Sequence, residues 1–471
     1  MENRQNRGTF SGRIGFVLAA AGSAVGLGNI WRFPYLAAKD GGGIFLATYL
    51  VLALTFGFTL LITEIAIGRK TGQSPLTAYR TIHPKIGWVG LLACLIPGLI
   101  LPYYCAIGGW VLKYLSAFLT FQGTAAAADT YFTGFITSQW EPIIWFLICL
   151  LATTFVVYKG VDKGIEKLSK VLMPILLLLI FGIAIFSLFL RHTDSSGVTR
   201  TGLQGFLVYV VPNFKGMTLK QFFVVLTDAM GQLFYSISVA MGIMITYGSY
   251  VSKDTDLNKS VNQIELFDTV VAFLAGMMII PAVFTFMGAE GMSASGPALM
   301  FVALPKVFVE MGSVVGPIVG ILFFITVAFA ALTSSVSIME ALVSCLMDKF
   351  QIERKKATLI IAAITAVVGL LVCLGYNVLY FEAILPNTPA GKNAQLLDIL
   401  DYASNYVLMP VVAIATCIFI GWIAKPKTVI EEVTCGGCKF GREKLYVVMV
   451  KFITPAMLTL LLLQALGLIK F

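Results

Sequence analysis

Long apolar stretches separated by short polar loops make up most of the chain. A helix that crosses a membrane needs about 20 predominantly apolar residues. The pattern predicts eleven such spans, which we number in chain order, near residues 14–37, 44–68, 88–119, 141–158, 168–190, 225–250, 265–288, 314–345, 357–375, 399–424 and 445–469. The predicted fold class is therefore all-α, a polytopic membrane protein in which residues 1–471 form a single transmembrane domain.

Composition supports this prediction. The mean hydropathy is +0.89 and only 12% of the residues are charged, whereas an average soluble domain is about 25% charged. Span one is too long for a removable signal peptide and lacks a small-residue cleavage site. We therefore expect span one to remain in the mature protein.

The positions of lysine and arginine predict the orientation in the membrane. Basic residues cluster in alternate short loops, for example from Lys159 to Lys170 after span four and from Lys349 to Lys356 after span eight. Since such loops stay in the cytoplasm, the N-terminus is predicted to be cytoplasmic and the C-terminus extracellular. The net charge of +9 is then mainly a topology signal. Nucleic-acid binding needs a concentrated basic face, so the predicted partner is the lipid bilayer and not nucleic acid.

Span one contains an interruption that is unusual for a lipid-facing helix. Its uncharged run from Ile14 to Trp31 holds three glycines and two small polar side chains between Gly22 and Asn29. Each glycine lowers helix preference by about 1 kcal/mol relative to alanine. Broken backbone at membrane depth is tolerated only where it is packed in protein or lines a polar cavity. The stretch is therefore either a binding site for ions and substrate or a seam of small residues that packs two helices together.

Span six carries a similar interruption, five spans later. Ser236, Ser238, Ala240 and Gly242 lie in its middle. Two broken helices five spans apart predict two five-helix repeats, at about residues 13–190 and 225–424, with an extra C-terminal helix at about 445–469. Because five is odd, the second repeat is inverted in the membrane, a five-plus-five plan in which substrate and ions bind at the repeat interface.

Other polar groups within the spans suit a cation site. Span eight has three consecutive hydroxyls, Thr333 to Ser335, which either bond to helix backbone or supply oxygen ligands to a hard cation. Glu64 and Asp268 are carboxylates within spans, and such a group is by default a candidate for function. For Glu64, a structural bond to amides freed by a broken helix is an equal alternative.

The histidines and cysteines form no catalytic motif. His83 and His192 fall in loops on opposite faces, so we expect no enzyme. Cys435 and Cys438 share one predicted cytoplasmic loop without the second ligand pair of a structural zinc site. A reduced surface loop is the favoured interpretation, and a redox or metal role stays open.

The residues around the first break carry a family resemblance. Arg13-Ile-Gly-Phe through Ala24-Val-Gly-Leu-Gly-Asn-Ile-Trp-Arg-Phe-Pro34, followed by Gly41-Gly-Gly, resembles bacterial members of the neurotransmitter:sodium symporter family, which share their inverted-repeat fold with the bacterial leucine transporter. The similarity runs from about Arg7 to Asp401. It implies a sodium-coupled symporter of a small amino acid that works by alternating access in a bacterial inner membrane.

The resemblance implies two sodium sites built from oxygen ligands. The ligands of the first site would be the Ala24 carbonyl and the side chains of Asn29, Ser236 and Asp268, with the substrate carboxylate. Those of the second site would be the carbonyls of Gly22, Val25 and Ala330 and the hydroxyls of Thr333 and Ser334.

It also implies a substrate site and gates. The substrate carboxylate would accept hydrogen bonds from the amides of Leu27 and Gly28, at a half-helix N-terminus, and from Tyr104. Its ammonium would face the carbonyls of Ala24, Tyr235 and Ser238. The side-chain pocket would be uncharged, lined by Ile100, Tyr235, Ser238, Met241, Ser334 and Ile338, so neutral hydrophobic substrates are expected. The gates would be the outer pair Arg32 and Asp401 and the inner pair Arg7 and Asp348, with a hinge from Gly164 to Pro174 in span five.

The chain departs from the family pattern at three places. Asp268 stands where the family has asparagine, and its fixed negative charge predicts transport without chloride, although Tyr49, Gln232 and Ser236 keep the other chloride positions. Ala240 replaces a glycine, beside Met241 at a position where an aromatic is frequent. The twelfth span is missing, so no oligomeric state is predicted. The alternative function is a non-transporting amino-acid sensor on the same fold.

Overall fold

The computed structural model describes residues 8–194, 196–214, 217–292, 296–386 and 393–469. Among these residues, nine helices are long and apolar enough to cross a membrane: Gly43–Thr71, Pro84–Leu119, Glu141–Tyr158, Val161–Leu188, Leu257–Gly291, Val315–Phe350, Arg354–Leu374, Leu396–Ile423 and Glu443–Ala465. They correspond to spans two to five and seven to eleven. The predicted all-α, polytopic class is confirmed.

Spans one and six are the two broken helices. Span one consists of Arg13–Ala24 and Gly28–Lys39, which meet at an angle of 52°. Span six consists of Leu219–Ser236 and Ile243–Ser249, separated by an irregular segment, Ile237 to Gly242. Both predicted interruptions are therefore present as real breaks.

Short elements connect the spans. Among them is a hairpin of strands β1 (Arg191–Thr193) and β2 (Thr199–Thr201), paired antiparallel. The connecting helices are Pro75–Ile82, Gly123–Ala126, Asp129–Thr137, Gly202–Val210, Gly296–Ala298, Leu304–Glu310 and Lys427–Val433. Turns of π-helix lie within or next to the longer helices, at Ala53–Gly57, Val161–Glu166, Leu299–Ala303, Tyr402–Leu408, Phe419–Ile423 and Met449–Ile453.

Span seven begins earlier than the pattern predicted. The apolar run starts near residue 265, but the helix starts at Leu257 because the Asp256 side chain caps it, accepting a hydrogen bond from the Lys259 amide at 3.0 Å. An aspartate at this position satisfies a backbone donor that the helix itself cannot pair. Consequently Glu265, at the predicted boundary, lies two turns inside the helix.

The first half of span one lies in the middle of the helix bundle. It is buried from Ala19 to Ala24 and packs against spans five, seven and eight. An added Cβ at Gly22 would lie 3.3 Å from the Met173 sulfur of span five and 3.4 Å from the Thr333 Cβ of span eight. Small residues therefore do pack helices together here, and they also bring the backbone of the break close to the polar side chains of span eight.

Spans two and six meet just as closely. A Cβ added at Gly68 would lie 1.9 Å from the Ile245 carbonyl oxygen, and one added at Gly248 would lie 2.4 Å from that of Ile65. Only glycine permits this approach of two backbones. It holds the second half of span six against span two, next to Glu64.

Candidate functional site

The break in span one presents backbone carbonyls to span eight. The helix ends at Ala24, and Val25 is extended, with φ −74° and ψ 91°. The Ser334 hydroxyl lies 3.5 Å from the Gly22 carbonyl oxygen, 3.2 Å from that of Ser23 and 3.4 Å from that of Val25. The Ser23 carbonyl also accepts a hydrogen bond from Ser238 Oγ, at 3.0 Å. Because a hydroxyl has one hydrogen, the carbonyls of Gly22 and Val25 compete for the Ser334 donor and keep unused acceptor capacity.

The groups predicted for the second sodium site lie together at this point. Thr333 precedes Ser334 in span eight and donates within its own helix, to the carbonyls of Phe329 at 3.0 Å and Ala330 at 3.2 Å. Its Cβ faces Gly22. The five predicted ligands, Gly22, Val25, Ala330, Thr333 and Ser334, thus converge where spans one and eight meet, and all of them offer oxygen.

The break in span six has an unusual backbone. Ser238, Ala240 and Gly242 have φ of 55°, 63° and 74°, in the left-handed region that costs a non-glycine residue roughly 1 kcal/mol or more. The freed Ala240 amide donates to Glu64 Oε1 at 2.6 Å. Of the two interpretations of Glu64, the structural bond to a broken helix is the one observed.

Asp268 occupies the centre of a buried polar cluster between spans one, two, six and seven. Its Oδ1 accepts hydrogen bonds from Asn29 Nδ2 at 2.8 Å and Ser236 Oγ at 2.6 Å, and its Oδ2 accepts one from the Tyr49 hydroxyl at 3.0 Å. Ser236 Oγ also lies 3.1 Å from Asn29 Oδ1. The carboxylate is 1% exposed, and these partners are all neutral. A buried charge held by neutral groups alone is costly, and a cation would compensate it.

A cavity of about 30 Å³ lies between the two breaks. Its lining contains every residue predicted for the substrate site: Ala24, Leu27, Gly28, Ile100, Tyr104, Tyr235, Ser238, Met241, Ser334 and Ile338. Asn29 and Ser236 of the cluster around Asp268 also line it, and so do Ser23 and Gly26, which lie in the predicted break but were assigned no ligand role. None of these described lining residues is charged.

Glycines let two aromatic side chains approach the break in span one. An added Cβ at Gly28 would lie 2.9 Å from the Tyr235 ring, and one at Gly26 would lie 3.1 Å from both the Tyr104 hydroxyl and Ser334 Oγ. The Leu27 amide lies 3.5 Å from the Tyr104 hydroxyl oxygen. The Leu27 amide therefore faces the hydroxyl that is predicted to bind the same substrate carboxylate.

The predicted outer pair does not form a direct ion pair. Asp401 Oδ1 accepts hydrogen bonds from the Tyr103 hydroxyl at 3.0 Å and Asn405 Nδ2 at 2.6 Å, and within the described part of the chain Arg32 lies beyond 4.0 Å of it. The two residues are thus farther apart than an ion-pair distance in this conformation, and their role as an outer gate stays a prediction. Arg32 instead lines a larger cavity of about 280 Å³ with Asp228 and Asn405.

The predicted inner pair can be followed only on one side, since Arg7 lies outside the described residues. Asp348 Oδ2 accepts hydrogen bonds from the Ser74 amide at 2.6 Å and the Thr77 hydroxyl at 3.4 Å. These groups belong to the first turn of the Pro75–Ile82 helix. Asp348 thus ties the end of span eight to the loop after span two.

The predicted hinge region is helical and not unwound here. Gly164 lies in the π-helical turn Val161–Glu166, and an added Cβ there would lie 2.1 Å from the Val156 carbonyl oxygen. Pro174 lies inside the helix that continues from Lys167 to Leu188. The π turn and the proline mark the two irregular points of span five.

The structure adds a contact at span five that the sequence did not reveal. Glu166 is buried and accepts hydrogen bonds from the amide of Ser11, at 2.9 Å, and from its hydroxyl, and Lys170 lies 2.6 Å from its Oε1. The segment before span one is thereby fixed to the first turn of span five. Residues 11 and 166 are far apart in sequence, so no local pattern predicts this contact.

Comparison with known proteins identifies the family. A model described as the sodium:neurotransmitter symporter family matches residues 7–141 and 135–470. The chain belongs to this family. This symporter is 32% identical to an uncharacterized sodium-dependent transporter of Bacillus subtilis (strain 168), YhdH, over 98% of both chains. It is 30% identical to an uncharacterized sodium-dependent transporter of Haemophilus influenzae, over 96% of this chain and 97% of that protein.

A solved structure extends the likeness to three dimensions. The crystal structure of MhsT in complex with L-phenylalanine matches this symporter with a TM-score of 0.83 and 35% identity, covering 98% of this chain and 100% of that one. The symporter is thus a membrane protein of a sodium-dependent transporter family, with the fold of that family.

Proposed function

We propose that this symporter carries a neutral hydrophobic L-amino acid, aliphatic or aromatic, across a bacterial inner membrane together with sodium, by alternating access and without catalysing a reaction. The observation that carries the proposal is the position of Asp268. A buried carboxylate with neutral partners stands beside an uncharged cavity, at the junction of two broken helices. The complex of the related MhsT with L-phenylalanine supports the substrate class.

The substrate would bind by its two charged ends at the breaks. Its carboxylate would accept hydrogen bonds from the amides of Leu27 and Gly28, where the half-helix dipole favours a negative group, and from Tyr104. Its ammonium would face the carbonyls at Ala24 and Ser238. Because Ile100, Tyr235, Met241 and Ile338 supply apolar surface and the described lining holds no charge, a charged side chain would lose its hydration without compensation.

Two sodium ions would travel with the substrate. One would be held at Asp268 with Asn29, Ser236 and the Ala24 carbonyl. The other would be held by Thr333 and Ser334 with the carbonyls of Gly22, Val25 and Ala330. Each charge that crosses about 100 mV contributes about 2.3 kcal/mol, so two ions would supply about 4.6 kcal/mol from voltage alone, or about three decades of accumulation.

Transport would not require chloride. The Tyr49 hydroxyl and Ser236 Oγ, two of the residues expected at the chloride positions, already donate to Asp268. An anion placed between them would meet a fixed negative charge and displace two hydrogen bonds. The carboxylate thus supplies the negative charge that chloride would otherwise bring.

Uptake into proteoliposomes tests the proposal. Purified protein would be reconstituted and assayed with a panel of labelled amino acids, with sodium or potassium outside and with chloride or gluconate as the anion. We expect sodium-dependent accumulation of leucine-like or aromatic substrates that is equal in both anions. Accumulation of charged amino acids in preference, or a strong chloride requirement, would contradict it. Sodium-dependent binding without uptake would instead indicate the sensor.

A further inference from the structure

Glu265 is a buried carboxylate in span seven outside the candidate site. It is 4% exposed and lies one helical turn from Asp268, toward the Leu257 end of the helix. Side chains three residues apart on a helix are neighbours, with Cβ atoms about 5–6 Å apart. Its Oε1 is buried and, among the described residues, has no hydrogen-bond partner. A second buried acidic side chain therefore lies one helical turn from the carboxylate of the first proposed ion site.

The charge opposite Glu265 comes from Arg442, the residue before span eleven. One guanidinium nitrogen donates to the Leu54 carbonyl at 2.7 Å, and the other donates to Asn262 Oδ1 and lies 3.6 Å from Glu265 Oε2. The guanidinium also stacks on the Phe58 ring, 3.9 Å from its centroid. Spans two and seven thus hold the arginine in place mainly through groups other than Glu265.

This pair, in which Glu265 is buried and Arg442 is 27% exposed, differs from two tighter ion pairs among the described residues. Arg69 lies 2.8 Å from Glu432, and Arg354 lies 2.6 Å from Glu340, both within the distance of a charge-assisted hydrogen bond. The Arg442–Glu265 separation of 3.6 Å is longer, and one carboxylate oxygen remains without a partner. A contact that served stability alone would be expected to close.

We propose that Glu265 and Arg442 form an electrostatic positioning pair that sets the sodium affinity of the Asp268 site. Glu265 adds negative potential at Asp268, and Arg442 offsets part of it from the far side. The proposal rests on the proposed function, since it takes Asp268 as a sodium ligand. It also gives a role at the ion site to span eleven, which lies outside the two five-helix repeats.

Substitutions that change the charge at Glu265 distinguish an effect on sodium affinity from a structural role of this side chain. Glu265→Gln keeps the side-chain shape and leaves Arg442 uncompensated. A unit charge about 10 Å from an ion, at an effective dielectric constant of about 20, changes its affinity about tenfold. We therefore expect the sodium concentration for half-maximal uptake to rise about tenfold. The half-saturating substrate concentration, measured at saturating sodium, should stay within about twofold of the unsubstituted protein.

The double variant Glu265→Gln/Arg442→Gln removes both charges and should restore the sodium dependence to within about threefold of the unsubstituted protein. Glu265→Asp, which keeps the charge in a shorter side chain, should leave it nearly unchanged. Glu141→Gln is the matched control, because it removes the carboxylate of the Lys113–Glu141 pair, between spans three and four, and should have no effect on sodium.

Three results would overturn the inference: an unchanged sodium dependence in Glu265→Gln, an equal shift in the double variant, or an equal shift in Glu265→Asp. The last two would indicate a structural role. If the unsubstituted protein shows no sodium dependence, the proposed function itself fails and the inference falls with it. A sodium-dependent protein that is indifferent to Glu265→Gln refutes only the inference.

Discussion

Asp268→Asn removes the charged side chain proposed as a ligand of the first ion site while keeping the shape of that side chain. Two unit charges about 4 Å apart interact by about 4 kcal/mol at an effective dielectric constant of about 20. The side-chain oxygen of asparagine would remain as a neutral ligand, which offsets part of this loss. With gluconate as the anion, so that chloride cannot replace the lost charge, we expect sodium binding to weaken by about 2–3 kcal/mol, or roughly 30- to 150-fold.

The assay is the sodium dependence of labelled amino-acid binding to purified protein by scintillation proximity, with substrate held at a fixed concentration. Asp256→Asn provides the matched control, since it makes the same chemical change at the start of the same helix, where asparagine caps as well as aspartate. The quantity compared is the sodium concentration that gives half-maximal binding. If its values for Asp268→Asn and for Asp256→Asn agree within about twofold, the assignment of the Asp268 carboxylate to a sodium site is refuted.

Three further predictions concern other parts of the molecule. Gly28→Ala places a methyl group 2.9 Å from the Tyr235 ring and should raise the KM for substrate about tenfold, as overpacking by about 1–3 kcal/mol implies; an unchanged KM would contradict the close approach. Glu166→Ala frees Ser11 and Lys170 and should speed protease cleavage before span one, whereas Glu353→Ala, an exposed control, should not. Burial beside Asp228 raises the pKa of Asp40, in the loop between spans one and two, to about 7. The folded protein then holds this proton at a pH where the unfolded chain has lost it, so the side chain costs stability increasingly as the pH rises from about 4 to about 7. The Tm gain of Asp40→Asn over the unsubstituted protein should grow across that range and level off above it; a gain independent of pH would refute the assignment.

The breaks were predictable because membrane-spanning sequence has little tolerance for glycine and hydroxyl groups. Gly22 to Asn29 and Ser236 to Gly242 stand out against apolar neighbours, and the structure places a break at each. Asp268 stood out for the same reason, as a charge within a span. Local composition carries this information, because the cost of an exposed polar group in lipid is paid residue by residue.

The pairings between distant segments could not be predicted in that way. Glu166 with Ser11 and Arg442 with Glu265 join residues more than a hundred positions apart, and nothing in either local sequence specifies its partner. The burial of Glu265 could not be predicted for a second reason. The apolar run begins near this residue, so the hydrophobic pattern placed it at the membrane boundary. The cap at Asp256 starts the helix two turns earlier, and Glu265 therefore lies inside it.

Because span one bends by 52°, the half-helix that follows the bend extends from the cavity toward the edge of the membrane domain. The half-helix Gly28–Lys39 is about 18 Å long at about 1.5 Å per residue, and its first residue lines the cavity. A rotation of about 10° about that residue would displace the other end of the half-helix by about 3 Å. Lys39 stands at that end, with its Nζ 2.7 Å from Asp228 Oδ2 of span six. A small rearrangement at the cavity is therefore sufficient to break or form an ion pair between the far end of this half-helix and the middle of the first half of span six.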